Sequence, residues 1–273
     1  MASSVSQQAY NEAVAKLESE TGTATAAQLA TVADEILSVA GLLRAQPRLR
    51  RALTDPSRPA ADRSGLLRSL LTGKLAEATV ITLTTLASGR FSRPSEILNA
   101  TERLGIEVVL RSAEKAGSLE NVEDELFRFG QIVSGNAELA VTLSDPGAPT
   151  DRRVKLVEDL LKGKAQPATV RLVEVAIDGF GGRGFEASLT RLVELTAAKR
   201  DREVAYVTVA RPIGDADEQA LAAKLAEIYG RPVSLKVDVD PSIIGGVSVK
   251  VGSDLYDGTI LRRLNAAKQE FAK

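Results

Sequence analysis

Val233-Ser234-Leu235-Lys236-Val237-Asp238-Val239-Asp240-Pro241-Ser242-Ile243-Ile244-Gly245-Gly246-Val247-Ser248-Val249-Lys250-Val251-Gly252 decides the fold of the C-terminal part of this chain. Residues 233–239 alternate apolar and polar, the two-residue period of a half-buried strand. Asp240-Pro241-Ser242 breaks the strand, because proline fixes φ and has no N–H for a ladder. Gly245-Gly246 follows, and Val247, Val249 and Val251 resume the alternation up to Gly252. Such a double glycine between strands marks a turn or bulge where a Cβ would be costly. Asp257-Gly258-Thr259 then predicts a turn into a final helix from Ile260 to Phe271. Leu261, Leu264 and Lys268 share one face of that helix, with Phe271 a turn further on. The face is expected to cover the sheet or to meet a partner helix.

Upstream of this stretch, Glu203 to Ala210 alternates like a strand, and Arg211-Pro212-Ile213-Gly214 turns the chain. Ala216 to Ile228 reads as a helix. Asp215 is its expected N-cap, Glu218 completes a capping box, and Gly230 lies just past its end. Residues 201–273 are therefore expected to form a small α/β domain of βαββα order.

The first two-thirds of the chain is helical in pattern and contains a repeat. Apolar stripes at helical spacing run over 9–20, 29–43, 61–71 and 77–88, and 94–104 also reads as helical. Gly73 and Gly89-Arg90 punctuate them. Residues 48–80 align without a gap on 138–170, with fourteen of the 33 positions identical. The matches include Asp55-Pro56 with Asp145-Pro146, Arg63 with Arg153 and Gly73-Lys74 with Gly163-Lys164. More loosely, Ile106 to Ala116 resembles the first helix and Val122 to Ile132 the second. The predicted fold is mainly α: a helical bundle over 1–110, a second over 111–200, and the α/β domain.

Composition narrows the function. The chain has no Cys and no His, which removes disulfides, thiolate chemistry and the commonest general base and metal ligand. Its 35 basic and 36 acidic residues give a net charge of −1, against a dedicated nucleic-acid binder. No run of 18 uncharged apolar residues is present, and residues 1–10 lack a signal-peptide pattern. A cytoplasmic protein that need not be a catalyst is the expectation.

Neither Gly-Lys pair has the earlier glycine or following hydroxyl of a phosphate loop, and each is read as a helix end followed by a solvated lysine. Residues 179–184 are read as a loop between bundle helices. Asp238 and Asp240 share a strand face without a third ligand, so no metal or cofactor is expected. Glu123-Asp124-Glu125 reads as a charged helix start. Arg44, Arg48, Arg50 and Arg51 form a basic cluster, a solvated face or a site for an acidic partner.

The motif spanning Val237 to Gly246, with Val249-Lys250-Val251-Gly252 and Asp257-Gly258-Thr259-Ile260, resembles the ATP synthase delta (oligomycin-sensitivity conferral protein) family. Ile243 stands for the usual Leu and Thr259 for the usual Ser. Leu86-Ala87-Ser88-Gly89-Arg90 resembles the family's helix ending in Gly-Arg; the second copy keeps Gly179, with the arginine displaced to Arg183. The duplicated helical segment looks like the actinobacterial long form. The resemblance implies a non-catalytic stator subunit at the cytoplasmic face of the cell membrane. It would link the catalytic head, through the N-terminal helix of an alpha subunit, to b-type subunits of the peripheral stalk. It makes Asp240, Pro241, Ile243, Ile244, Gly245, Gly246, Gly252, Asp257 and Gly258 a structural signature. Arg44, Arg48, Arg50, Arg51 and Arg90 become candidate partner-binding residues. The alternative is a helical adaptor that binds amphipathic helices of unrelated partners.

Overall fold

The computed structural model describes residues 4–243 and 245–260. Ile244 and the final-helix residues Leu261, Leu264, Lys268 and Phe271 lie outside the described residues. The chain is mainly α-helical with one small sheet toward its end, as expected. It forms two compact units, Met1–Val122 with Ser144–Ser188, and Glu123–Leu143 with Leu189–Lys273.

In the first unit, α1 (Ser4–Thr21) packs on α5 (Glu77–Ser88), and α2 (Ala26–Ala45) packs on α6 (Pro94–Lys115). α3 (Pro47–Thr54) packs on α6, and α4 (Ala60–Leu71) packs on α5. A capping box starts α2: Gln28 N–H donates to Thr25 Oγ1 at 3.3 Å, and Thr25 N–H to Gln28 Oε1 at 2.8 Å. The α2 stripe Leu29, Val32, Ile36, Val39 and Leu43 is buried, each large side chain contributing about 1.5–3 kcal/mol. By length and composition alone α2 could cross a membrane; here that stripe is bundle core.

The stretches 94–104 and 106–116, read separately from sequence, form the single helix α6, and the boundary expected at 110/111 falls inside it. Gly105 does not break it. A Cβ there would lie 2.5 Å from Leu37 Cδ2, so the glycine lets α2 and α6 approach closely. Apolar side chains are buried around much of α6, including Ile97, Leu104, Ile106, Val108, Val109 and Leu110, as befits a central helix.

The duplication is visible in the element bounds. α3 and α4 recur 90 residues later as α8 (Ala137–Ser144) and α9 (Thr150–Leu161), and α5 recurs as α10 (Pro167–Ile177). The turns recur as well. Ser57 N–H donates to Asp55 Oδ1 at 2.9 Å and Gly147 N–H to Asp145 Oδ1 at 2.8 Å, the same Asx turn beside each Asp-Pro. At Gly73 and Gly163 the φ values are 77° and 70°, each in the third position of a turn closed by Lys74 N–H on Leu71 or Lys164 N–H on Leu161. That is the type II geometry that favours glycine. The expected loop at 179–184 contains a 3-10 turn, Phe180–Gly182, after left-handed Gly179.

The second unit holds most of α7 (Leu119–Ser134) and α11 (Phe185–Lys199) with the α/β tail. Strand β1 (Glu203–Val209) leads through α12 (Asp215–Tyr229) to β2 (Val233–Val239), parallel to β1. Strand β3 (Val247–Val251) returns antiparallel to β1, and β4 (Asp254–Asp257) pairs with β3, giving the order β2-β1-β3-β4. The expected βαββ order is thus extended by β4, a four-residue edge strand whose Leu255 and Tyr256 are exposed. Gly252, at φ 55°, makes the two-residue hairpin with Ser253 that precedes it. One sheet face, with Ala205, Val207, Val209, Val233, Val249 and Val251, packs on Leu225 and Leu221 of α12. Asp215 is the first helical residue of α12 rather than its N-cap. Gly214 takes that position without a side-chain cap, and Gly230 ends the helix in the left-handed region as expected.

Candidate protein-interaction site

The signature stretch is two turns docked on each other. Asp240 N–H continues the ladder to Val209 O at 2.8 Å, and Ser242 N–H donates to Asp240 Oδ1 at 2.9 Å. The hydrogen bonds from Ser242 hold the Asp240 carboxyl below its ordinary range. Pro241 opens a 3-10 turn ending at Ile243, which is half-buried. Across from it, Thr259 N–H donates to Asp257 Oδ1 at 3.0 Å. Gly258 N–H reaches Val247 O at 2.9 Å, and Ile260 N–H reaches Gly245 O at 3.0 Å. Gly245 and Gly246 have φ values of 141° and 88°. A Cβ on Gly246 would lie 2.5 Å from Gly258 O and 2.8 Å from Thr259 Cα. The phrase around Gly245-Gly246 and the phrase around Asp257-Gly258 therefore specify one piece of backbone packing.

The arginines differ in how they are engaged. Arg44 pairs with Glu102 at 2.8 Å and with Asp178 at 2.5 Å. Arg50 donates to the carbonyls of Leu43 and Arg44 at 2.5 and 2.9 Å, closing the C-terminal end of α2. Arg48 and Arg51 are exposed, and Arg90 is exposed elsewhere, beyond the end of α5. Buried Arg63 escaped notice as more than a repeat match. It donates to the carbonyls of Ala87, Ser88 and Gly89 at 3.3, 2.9 and 2.8 Å and to that of Arg58 at 2.6 Å. Its counterpart Arg153 reaches Ile177 O, the equivalent carbonyl, at 3.4 Å. An arginine kept at the same buried position of both copies was the available signal.

Glu123-Asp124-Glu125 is not simply a solvated helix start. Glu123 is fully buried, with Arg200 Nη1 2.7 Å away, Ser234 Oγ donating at 2.5 Å and Lys236 Nζ at 2.9 Å. Lys236 also pairs with Asp124 at 2.6 Å and lies 5.9 Å above the Phe127 ring. Burial pushes the Glu123 carboxyl up, but Ser234, Lys236 and Arg200 together outweigh it and leave the carboxyl below its ordinary value. Phe127 meets Tyr206 at 6.3 Å between ring centres, and burial raises the Tyr206 phenol. Gln131 Nε2 donates to Val237 O and Asp238 Oδ1, both at 3.2 Å. The second sheet face, polar in sequence, is thus covered by α7.

Open clefts among the described residues include three. One of about 570 Å³ at the end of copy one is lined by Val5, Pro56, Pro59, Arg58, Arg90 and Phe91, among others. A second, about 490 Å³, lies between α2, α6 and α10, with Arg171 held by Asp34 at 2.8 Å and Glu174 at 2.7 Å on its wall. The third, about 620 Å³, is in the tail, bounded by Ile213, Leu221, Gly246, Val247 and Ile260. Among the described residues no group of three or more acidic side chains is placed to hold a metal.

Packed amphipathic helices, buried structural ion pairs and a small mixed sheet define a mainly helical protein with a small α/β tail. Residues 107–271 match the family of the ATP synthase delta (OSCP) subunit. The chain is 55% identical over 273 residues, all of both chains, to the ATP synthase subunit delta of Salinispora arenicola. It is 38% identical over 269 residues to that of Streptomyces griseus subsp. griseus, covering 98% of this chain and 99% of the relative. The chain belongs to the ATP synthase delta (OSCP) subunit family. It is a non-catalytic stator subunit, peripherally associated with the membrane, that links the catalytic head to the peripheral stalk. The match to these relatives also takes in the helical segment before residue 107.

Proposed function

We propose that the stator works through three segments, residues 1–110, 111–200 and 201–273, at the cytoplasmic face of the cell membrane. Copy one receives the N-terminal helix of an alpha subunit, and the tail meets b-type stalk subunits. The observation that carries the first assignment is the cleft at the end of copy one, where apolar Val5, Pro59 and Phe91 stand beside Arg58 and Arg90. An amphipathic helix with an acidic rim fits such a surface. Arg48 and Arg51 extend the exposed basic surface of this copy, whereas Arg44 and Arg50 are engaged within it. The tail cleft beside Gly246 supports the stalk assignment through its apolar lining.

Capture of partners from extract by the intact tagged chain tests this reading. Alpha and b-type ATP synthase subunits should dominate the bound fraction. Recovery of unrelated helical proteins in their place would favour a general adaptor.

A further inference from the structure

Glu123, Phe127 and Gln131 lie at i, i+4 and i+8, one stripe of α7. Their partners on β2 run in the same order, Ser234 and Lys236 first, then Val237 and Asp238. Eight residues of helix rise about 12 Å, and four residues of strand about 13 Å. The two elements therefore stay in step along the whole contact. The contact is polar at both ends and its anchor is fully buried, so it cannot slide without breaking the ion pairs of Glu123 with Lys236 and Arg200 out of water. Apolar packing would tolerate such a slip.

We propose that α7 is a splint on the tail sheet, fixed in register by Glu123, so that α7 and β2 open and close as one body. Glu123 acts as a positioning residue: its carboxylate joins the end of α11, at Arg200, to β2, at Ser234 and Lys236. In this arrangement the face of α7 turned to the sheet is occupied by the chain itself and is closed to a partner helix. The inference stands on the α7 contacts and does not require the partner assignments above.

Native-state hydrogen exchange on the intact chain tests it. In the wild type, amides of residues 123–134 and of β2 should share one opening free energy across a denaturant series. Glu123→Gln keeps the shape and leaves two cations short of an anion. It should speed exchange in both elements together, on the order of a hundred- to a thousandfold, while α2 and α6 stay protected. Glu227→Gln, on the exposed side of α12, should change nothing. Independent opening of α7 and β2 in the wild type would overturn the proposal, whatever the variant does. So would a Glu123→Gln chain in which β2 stays as protected as before.

Discussion

Shifting α2 by 90 residues lays Val32-Ala33-Asp34-Glu35 on Val122-Glu123-Asp124-Glu125 of α7, and the two helices then part company. The positions that form the α7 splint, Glu123, Phe127 and Gln131, are Ala33, Leu37 and Gly41 in α2. In copy one Ala33 is buried, and Leu37 closes on Gly105 of α6. In copy two the same face carries a carboxylate, a ring and an amide, each with a partner on or beside the tail sheet. Asp34 and Asp124 both keep a cation, Arg171 in one case and Lys236 in the other. Duplication preserved the helices and turns, while the side chains on one face were fitted to whatever covers that face.

The largest expected difference follows from burial. Glu123→Gln should cost about 3–5 kcal/mol in urea denaturation, because it removes the buried carboxylate that Arg200 and Lys236 share. Asp34→Asn removes a partner whose side chain is 61% exposed and should cost no more than about 1 kcal/mol. Equal costs would erase the distinction between the two helices.

The same carboxylate should be visible in the pH dependence. Its folded-state pKa lies below the unfolded value, so its contribution is complete above the ordinary Glu range, about pH 4.3. It is lost as pH falls through the lowered folded value. Acid unfolding of the wild type should therefore include a limb that is absent in Glu123→Gln. Superimposable acid limbs would contradict the assignment.

On the tail side of the comparison, Gly246→Ala meets both a positive φ and the backbone of Gly258 and Thr259. A loss of at least about 2 kcal/mol is expected, read as an earlier melt. The double glycine would become a contact feature if the melt were unchanged and stalk binding were lost. Where the copies agree, the variants should agree. Arg63→Ala and Arg153→Ala each remove a buried guanidinium that ties the start of one helix to a carbonyl at the C-terminal end of the next, and each should cost about 1–3 kcal/mol.

What could be read from the sequence was local chemistry repeated. Asp55-Pro56, Gly73 and their counterparts announce turns through proline, Asx hydrogen bonds and positive φ, all settled within four residues. The capping box Thr25-Gln28 is equally local, but it lies just ahead of the apolar stripe of residues 29–43 and adds nothing to its periodicity. The continuity of α6 through Gly105 is not local, since the reason for that glycine, Leu37, lies on another helix. β4 was missed because four residues at an exposed edge leave almost no periodic signal. Glu123 was the hardest to place. A run of three acids at a helix start ordinarily faces water, and the Ser234 that buries this one is 111 residues away. Within the basic run, Arg44 and Arg50 have acids and carbonyls of the fold as partners, which their spacing does not announce.

The division of labour between the copies is tested most directly by titrating an N-terminal peptide of the alpha subunit into the intact chain by calorimetry. Arg90→Glu, on the copy-one cleft, should weaken binding at least about tenfold, the scale of a lost charge pair at an interface. Arg183→Glu, the displaced arginine of copy two, should leave affinity as in the wild type. Full affinity in Arg90→Glu together with loss in Arg183→Glu would contradict the account and move the alpha-subunit site to copy two.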